Sequence, residues 1–284
     1  MALADRIREA NRLDPEGLVP FIVADAEVGL ADAAFADRLA GFPDVFALDG
    51  GNLRLADTLA TPEARSAAVA AILGELRTEG LVPGWRDELY PVFTEPDAAP
   101  LLLVERASAT LFGIATVAVN LNGYVVGEDG DISIWLQRRS LTKPINPGRL
   151  DVLVSGGQPA GADPFENLVK ECAEEASIPA RIARRAAFAG TVGFRARRDD
   201  GVHHGHYLNY DLALPSGFRP DNRDGEVESF HLWTADKVID VMSSSEDMAF
   251  DSALVVIDFL IRHGVIGEDH PEHAALVQGL GTWT

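Results

Sequence analysis

"FENLVKECAEEASIP", residues 165–179, places Glu171, Glu174 and Glu175 close together in a segment with helical periodicity. At ~100° per residue, Glu175 lies about 40° to one side of Glu171 and Glu174 about 60° to the other, so the three carboxylates share an arc of roughly 100°. Phe165, Leu168, Val169, Cys172, Ala173 and Ala176 form a separate apolar face suited to packing on a sheet. Cys172 is therefore assigned to the core rather than to nucleophilic chemistry, for which the pattern offers it no base.

A charged outer face is the norm for an amphipathic helix, and the cluster alone does not decide function. The preceding loop, "VSGGQPAGADP" at residues 154–164, adds a stronger signal. Its glycines and prolines specify an unusual backbone that can bring main-chain groups, at Gly157 for example, close to a ligand. Like charges at helical spacing repel unless cations offset them, and Mg2+ or Mn2+ favours carboxylate oxygens together with substrate phosphates. Glu171, Glu174 and Glu175 are thus expected to be metal ligands.

Working outward, the chain of 284 residues is long enough for two modest domains, and 47% hydrophobic with 24% charged residues describes a folded protein. A net charge of −20 disfavours nucleic acid and anionic membranes as partners. No apolar run approaches the ~20 residues that span a bilayer. With one cysteine, and with "MALADRIREANRL" lacking the apolar core of a signal peptide, the expected compartment is the cytoplasm.

The pattern predicts an opening helix from Leu3 to about Asn11, a strand in "LVPFIVADAEVGL" and a hairpin in "DVFALDGGNLRLA" turning at Asp49 and Gly50. A helix through "TPEARSAAVAAILGELRTEG" is expected to be capped by Thr61 and ended by Gly80. "TEPDAAP", residues 94–100, reads as a linker, giving an N-terminal α+β domain over 1–98 and a second domain over 99–284. Strands then precede and follow the carboxylate helix, with helices returning at "TADKVIDVM" and "DSALVVIDFLIRHG".

The stretch "GGQPAGADPFENLVKECAEEASI" resembles the Nudix box. Glu171, Glu174 and Glu175 match its three metal-binding glutamates. Lys170 stands where the family has arginine, Ser177 replaces a glycine, and the first glutamate of the box falls on Ala162 or is approximated by Asp163. With "LFGIATVAVNLNGYV", "WLQRRSLTKPINPGRLDVLVSGGQPAG" and "DGEVESFHLW", the chain resembles Nudix proteins related to the N-terminal half of fungal thiamine pyrophosphokinase, in which that lysine and serine are usual. The resemblance, over roughly residues 80–265, implies an α/β/α Nudix sandwich with a mixed sheet, preceded by a smaller α+β unit that helps to form the substrate pocket. It also implies metal-dependent hydrolysis of a small diphosphate, with thiamine diphosphate or its oxidised analogues as substrate, and by analogy a homodimer. A nucleoside diphosphate derivative and a non-catalytic binding module are the alternatives, the latter motivated by the missing first glutamate.

For the remaining roles, Glu174 and Glu175 are joined by Glu226 in "DGEVESF" as a catalytic carboxylate, ahead of Glu228. Arg138, Arg139 and Lys143, which follow a strand leading to the box, and Lys170 within it, are candidates for phosphate contacts. Trp85, with Arg86 and Tyr90, could stack on a ligand ring or pack in a core. His203, His204 and His206 follow a turn, and exposed strand polarity is expected of them rather than a zinc site.

Overall fold

A computed structural model describes residues 2–95, 98–143, 145–223 and 225–280. Pro96 and Asp97 of the expected linker and Asp224 at the head of the expected catalytic loop lie outside the described residues.

The chain opens with α1 (Leu3–Ala10), β1 (Leu18–Val23), β2 (Ala26–Asp32), α2 (Ala33–Leu39), β3 (Phe46–Asp49), β4 (Asn52–Leu55) and α3 (Pro62–Thr78). "LVPFIVADAEVGL" is a hairpin rather than one strand, because Ala24 and Asp25 take left-handed φ values of 49° and 63°. Two successive left-handed residues make a tight turn, and the absence of glycine there hid the signal. The expected turn after Asp49 is present, with β4 antiparallel to β3 and parallel to β1, giving the order β2-β1-β4-β3. Thr61 caps α3 by accepting the Ala64 N–H at 3.2 Å, with Pro62 in the first turn. β5 (Leu89–Val92) and β6 (Leu102–Glu105) pair with each other, and a 3-10 turn (Arg106–Ser108) leads into α4 (Ala109–Phe112). The Phe112 ring stacks on Phe21 and Phe46, with centroids 4.7 and 6.2 Å away, at the centre of this unit's core.

The second unit contains β7 (Ala115–Val126), β8 (Ile132–Arg139), β9 (Leu150–Val152), β10 (Val154–Gly157), α5 (Pro164–Ala176), α6 (Ala180–Ala183), β11 (Ala187–Arg198), β12 (Gly201–Ala213) and β13 (Val227–Thr234). α7 (Ala235–Ser244), α8 (Phe250–Arg262) and α9 (His273–Gly279) follow. The sheet runs β11-β12-β7-β8-β13, with β10 on β7 and β9 on β8; the β12–β7 pair is parallel and its neighbours antiparallel. Leu168, Val169 and Cys172 of α5 bury one face with Val119, Leu121 and Leu153. α1, α7 and α8 cover the other. This is the expected α/β/α sandwich with a mixed sheet. Among the described residues no helix is long and apolar enough to cross a membrane.

The division expected at residue 98 meets two long-range contacts. α1 packs on α8, and the Glu272 carboxylate accepts the N–H groups of Leu3 and Ala4, each at 3.2 Å. β5 and β6 pair across residue 98, and Tyr90, Val92, Leu102 and Val104 all enter the first core. We therefore propose a first unit of residues 18–114, with α1 belonging to the second.

The histidines correct another expectation. α4 and β2 of the first unit pack against β12, and His206 is buried rather than exposed. Burial lowers His204 to a pKa of about 4 and His206 to about 3, so both are neutral near pH 7. His203 instead pairs with Asp200 at 2.7 Å.

Candidate active site

α5 starts where Asp163 accepts the Glu166 N–H at 2.9 Å, with Pro164 in the first turn, and it ends at Ser177, whose φ is 52°. Asp163 thus serves as a helix cap. Ser177 adopts the left-handed conformation for which the resembling box uses glycine.

Along this helix the three glutamates are sorted by depth: Glu175 is 3% exposed, while the side chains of Glu171 and Glu174 are 16% and 48% exposed. Their shared arc spans the edge of the packed face, so one end points inward and the other to solvent. The Glu175 carboxylate accepts the Ser155 N–H at 2.9 Å and the Gln137 Nε2–H at 3.3 Å. Burial outweighs the Ser155 hydrogen bond and, with repulsion from Asp151 and Glu171, raises its pKa to about 8. Burial also raises Glu171, against the opposing effect of Lys170 and with Glu174 and Glu226 adding to the rise.

The Lys170 ammonium stands between two of them, 3.1 Å from Glu171 Oε1 and 2.8 Å from Glu174 Oε2. Among the described residues no three His, Cys, Asp or Glu side chains converge closely enough, as placed, to hold an ion. The donor set nevertheless fits a hard divalent cation. It consists of carboxylate oxygens, two of them penalised by burial and mutual repulsion, and a cation of this chain already bridges the outer pair.

Gly156 and Gly157 of β10 permit close approach on both sides of the strand. A Cβ on Gly156 would lie 2.3 Å from Glu171 Cγ, and one on Gly157 would lie 1.8 Å from Tyr90 Oη. Gly156→Ala is therefore expected to displace the Glu171 carboxylate. In the diphosphate hydrolysis that the resemblance to the Nudix box implies, turnover should fall about 100-fold, as misplacement of reacting groups by ~1 Å does, with a stability loss of about 1–3 kcal/mol. Initial rates and thermal unfolding of the variant check this; unchanged rates would show that Glu171 is not held there for catalysis.

A cavity of about 630 Å³ opens over these glutamates and also receives Glu226. Arg139, Lys143 and Lys170 line it from the second unit, and Arg86 and Arg106 from the first. Lys143 Nζ pairs with the Glu226 carboxylate. Burial would raise Glu226, but hydrogen bonding and charge from Lys143, with Arg86 and Arg106, hold it below the ordinary carboxylate range. Arg139 pairs with Asp151 at 2.7 Å.

Two expected residues lie elsewhere. Arg138 points to the opposite side of β8 from Arg139, where it bonds Asp247 through two contacts of 2.8 Å and the Gly148 carbonyl at 2.7 Å. Trp85 donates to Asp87 at 2.7 Å and lies beneath Arg77, whose Cζ is 4.8 Å from the ring centroid; it does not line the cavity. Sequence reasoning missed Arg106, Glu88 and Gln137, which other elements bring to the site; the Ser155 N–H belongs to the loop already expected to offer main-chain groups, though it serves Glu175.

Residues 2–116 match the family described as "Domain of unknown function (DUF4743)". Over 280 residues the chain is 39% identical to Nudix hydrolase 24, chloroplastic, of Arabidopsis thaliana, covering 97% of this chain and 76% of that protein. It is equally 39% identical to Nudix hydrolase 20, chloroplastic, of the same plant, with the same coverage. DR0079 from Deinococcus radiodurans superposes with a TM-score of 0.45 at 19% identity, over 60% of this chain and 97% of that one. The chain belongs to the Nudix hydrolase family and is an enzyme of its pyrophosphohydrolase class.

Proposed function

We propose that the enzyme hydrolyses thiamine diphosphate or its oxidised analogues, such as the oxy form, to the monophosphate and inorganic phosphate, using Mg2+ or Mn2+. The observation that carries the reaction type is the cavity in which Glu171, Glu174, Glu175 and Glu226 face Arg86, Arg106, Arg139, Lys143 and Lys170. Cleavage of a phosphoric anhydride needs both signs: carboxylates to hold a cation and accept a proton, and cations to neutralise the phosphoryl oxygens. The choice of thiamine rests on the resemblance of the sequences flanking the box.

Glu171, Glu174 and Glu175 would hold the divalent ion, which when bound supplies charge neutralisation on the phosphoryl oxygens and acidifies water. Glu226, kept ionised by Lys143, takes the proton of the attacking water as its oxygen bonds to the terminal phosphorus. The bridging P–O bond breaks, leaving phosphate and the monophosphate. Arg139 and Lys143 orient the phosphoryl oxygens, and Gly157 lets strand β10 approach them.

The test is initial-rate phosphate release from thiamine diphosphate, its oxy analogue, ADP-ribose and a nucleoside triphosphate, each with magnesium. Preference for a thiamine compound is expected. Preference for a nucleotide keeps the chemistry and overturns the substrate, and no turnover of any overturns both.

A further inference from the structure

We infer that Arg106 of the first unit binds the substrate's diphosphate, which makes that unit part of the active site; this rests on the hydrolase reading above. Arg106 lines both the cavity over the glutamates and an adjoining cavity of about 170 Å³, as do Arg139, Lys143, Ser155 and Gly157. The cations of the second unit there divide their donors: Arg139 also serves Asp151 and the Ile145 carbonyl, and Lys143 also serves Glu226. Among the described residues the Arg106 guanidinium makes one hydrogen bond, from Nη1 to Glu88 Oε2 at 2.8 Å. A guanidinium has five N–H donors, so a fork remains for phosphoryl oxygens. Its side chain keeps 41% of its surface open.

The first unit holds this group in place. The Glu105 carboxylate, 3% exposed, accepts the backbone N–H of Ala107 at 3.2 Å and that of Arg86 at 2.9 Å, fixing the two arginine-bearing segments together. Below the guanidinium lies the Tyr90 ring, its centroid 5.5 Å from Arg106 Cζ. Tyr90 is itself seated against Gly157, where no Cβ has room. Arg106 also contributes to holding Glu226 ionised, so its charge reaches the carboxylate side of the cavity. The cleft is then a clamp: carboxylates on α5 from one side, a planar cation from the first unit on the other.

The experiment uses the full chain with magnesium, comparing wild type, Arg106→Gln and Arg106→Lys. It measures the Kd for methylenediphosphonate by calorimetry, KM and kcat on whichever panel substrate turns over fastest, and thermal unfolding. Arg106→Gln should weaken methylenediphosphonate about 10- to 100-fold, as loss of a charge-assisted contact does, and should raise KM more than it lowers kcat. Arg106→Lys keeps the charge but not the fork and should recover only part of the loss. If Arg106→Gln fails to fold, Arg106→Lys is read in its place, with an intermediate loss expected. A wild type that turns over substrate beside a folded variant whose Kd stays within about twofold overturns the role of Arg106 alone. A wild type that neither binds the diphosphonate nor releases phosphate from any panel compound overturns the hydrolase reading and this inference with it.

Discussion

Glu175→Gln is expected to lower magnesium-dependent phosphate release by about 1,000-fold while the chain stays folded. The substitution is isosteric, and its amide oxygen can still accept the Ser155 N–H that the carboxylate accepts at 2.9 Å. What disappears is a carboxyl that can ionise against a bound cation, at the deepest of the three positions. Removing a group that holds a catalytic cation or moves a proton costs about 100- to 10,000-fold. A protein that only binds its ligand would show no such loss. Wild-type rates in the variant would therefore remove Glu175 from the reaction.

The second large effect is on stability in the absence of metal. Burial holds the folded Glu175 carboxyl at a pKa of about 8, against an ordinary 4.5. Between those values the folded chain keeps a proton that the unfolded chain has released, so stability falls as pH rises from about 4.5 towards 8 and is then flat. A tenfold difference in proton affinity between the two states corresponds to ~1.4 kcal/mol, so the full effect amounts to a few kcal/mol. Carboxyls held below their ordinary range, such as Asp211 and Asp247, act with the opposite sign, and their stabilisation is lost only at acid pH. Melting temperatures in a chelator should therefore fall between pH 5.5 and 8.5 in wild type but much less in Glu175→Gln, and magnesium should restore the wild type at the upper end. Parallel profiles for the two proteins would contradict this.

Much of the second unit was legible because its signals are local. The apolar face of α5 and the alternation along β8 each lie within a few residues, as do the cap at Thr61 and the turn after Asp49 in the first unit. The glutamate cluster was legible for the same reason, and so was Cys172, which is fully buried and pushed to a pKa of about 12 by that burial. The depth order of the glutamates was not, because a helical wheel gives direction and not how far the neighbouring sheet extends. Arg138 and Arg139 looked interchangeable in sequence, and strand pleat sends them to opposite sides. The resemblance implied that the first unit helps to form the pocket, and Tyr90 stood among the candidates there, but Arg106 and Glu88 were not legible, since their place at the site depends on how β5 and the turn after β6 dock; nor was the burial of His206. Trp85 read as a stacking platform because tryptophan beside arginine suits one; the arginine that covers it, Arg77, comes from α3.

The most direct test of the metal-assisted reaction is phosphate release from thiamine diphosphate by chelator-stripped enzyme as magnesium is added back. Activity is expected to be absent in chelator, to rise saturably with magnesium in the wild type and to stay near background in Glu175→Gln. Turnover that persists in chelator, or that Glu175→Gln supports as well as wild type, would contradict a metal-assisted reaction built on these glutamates.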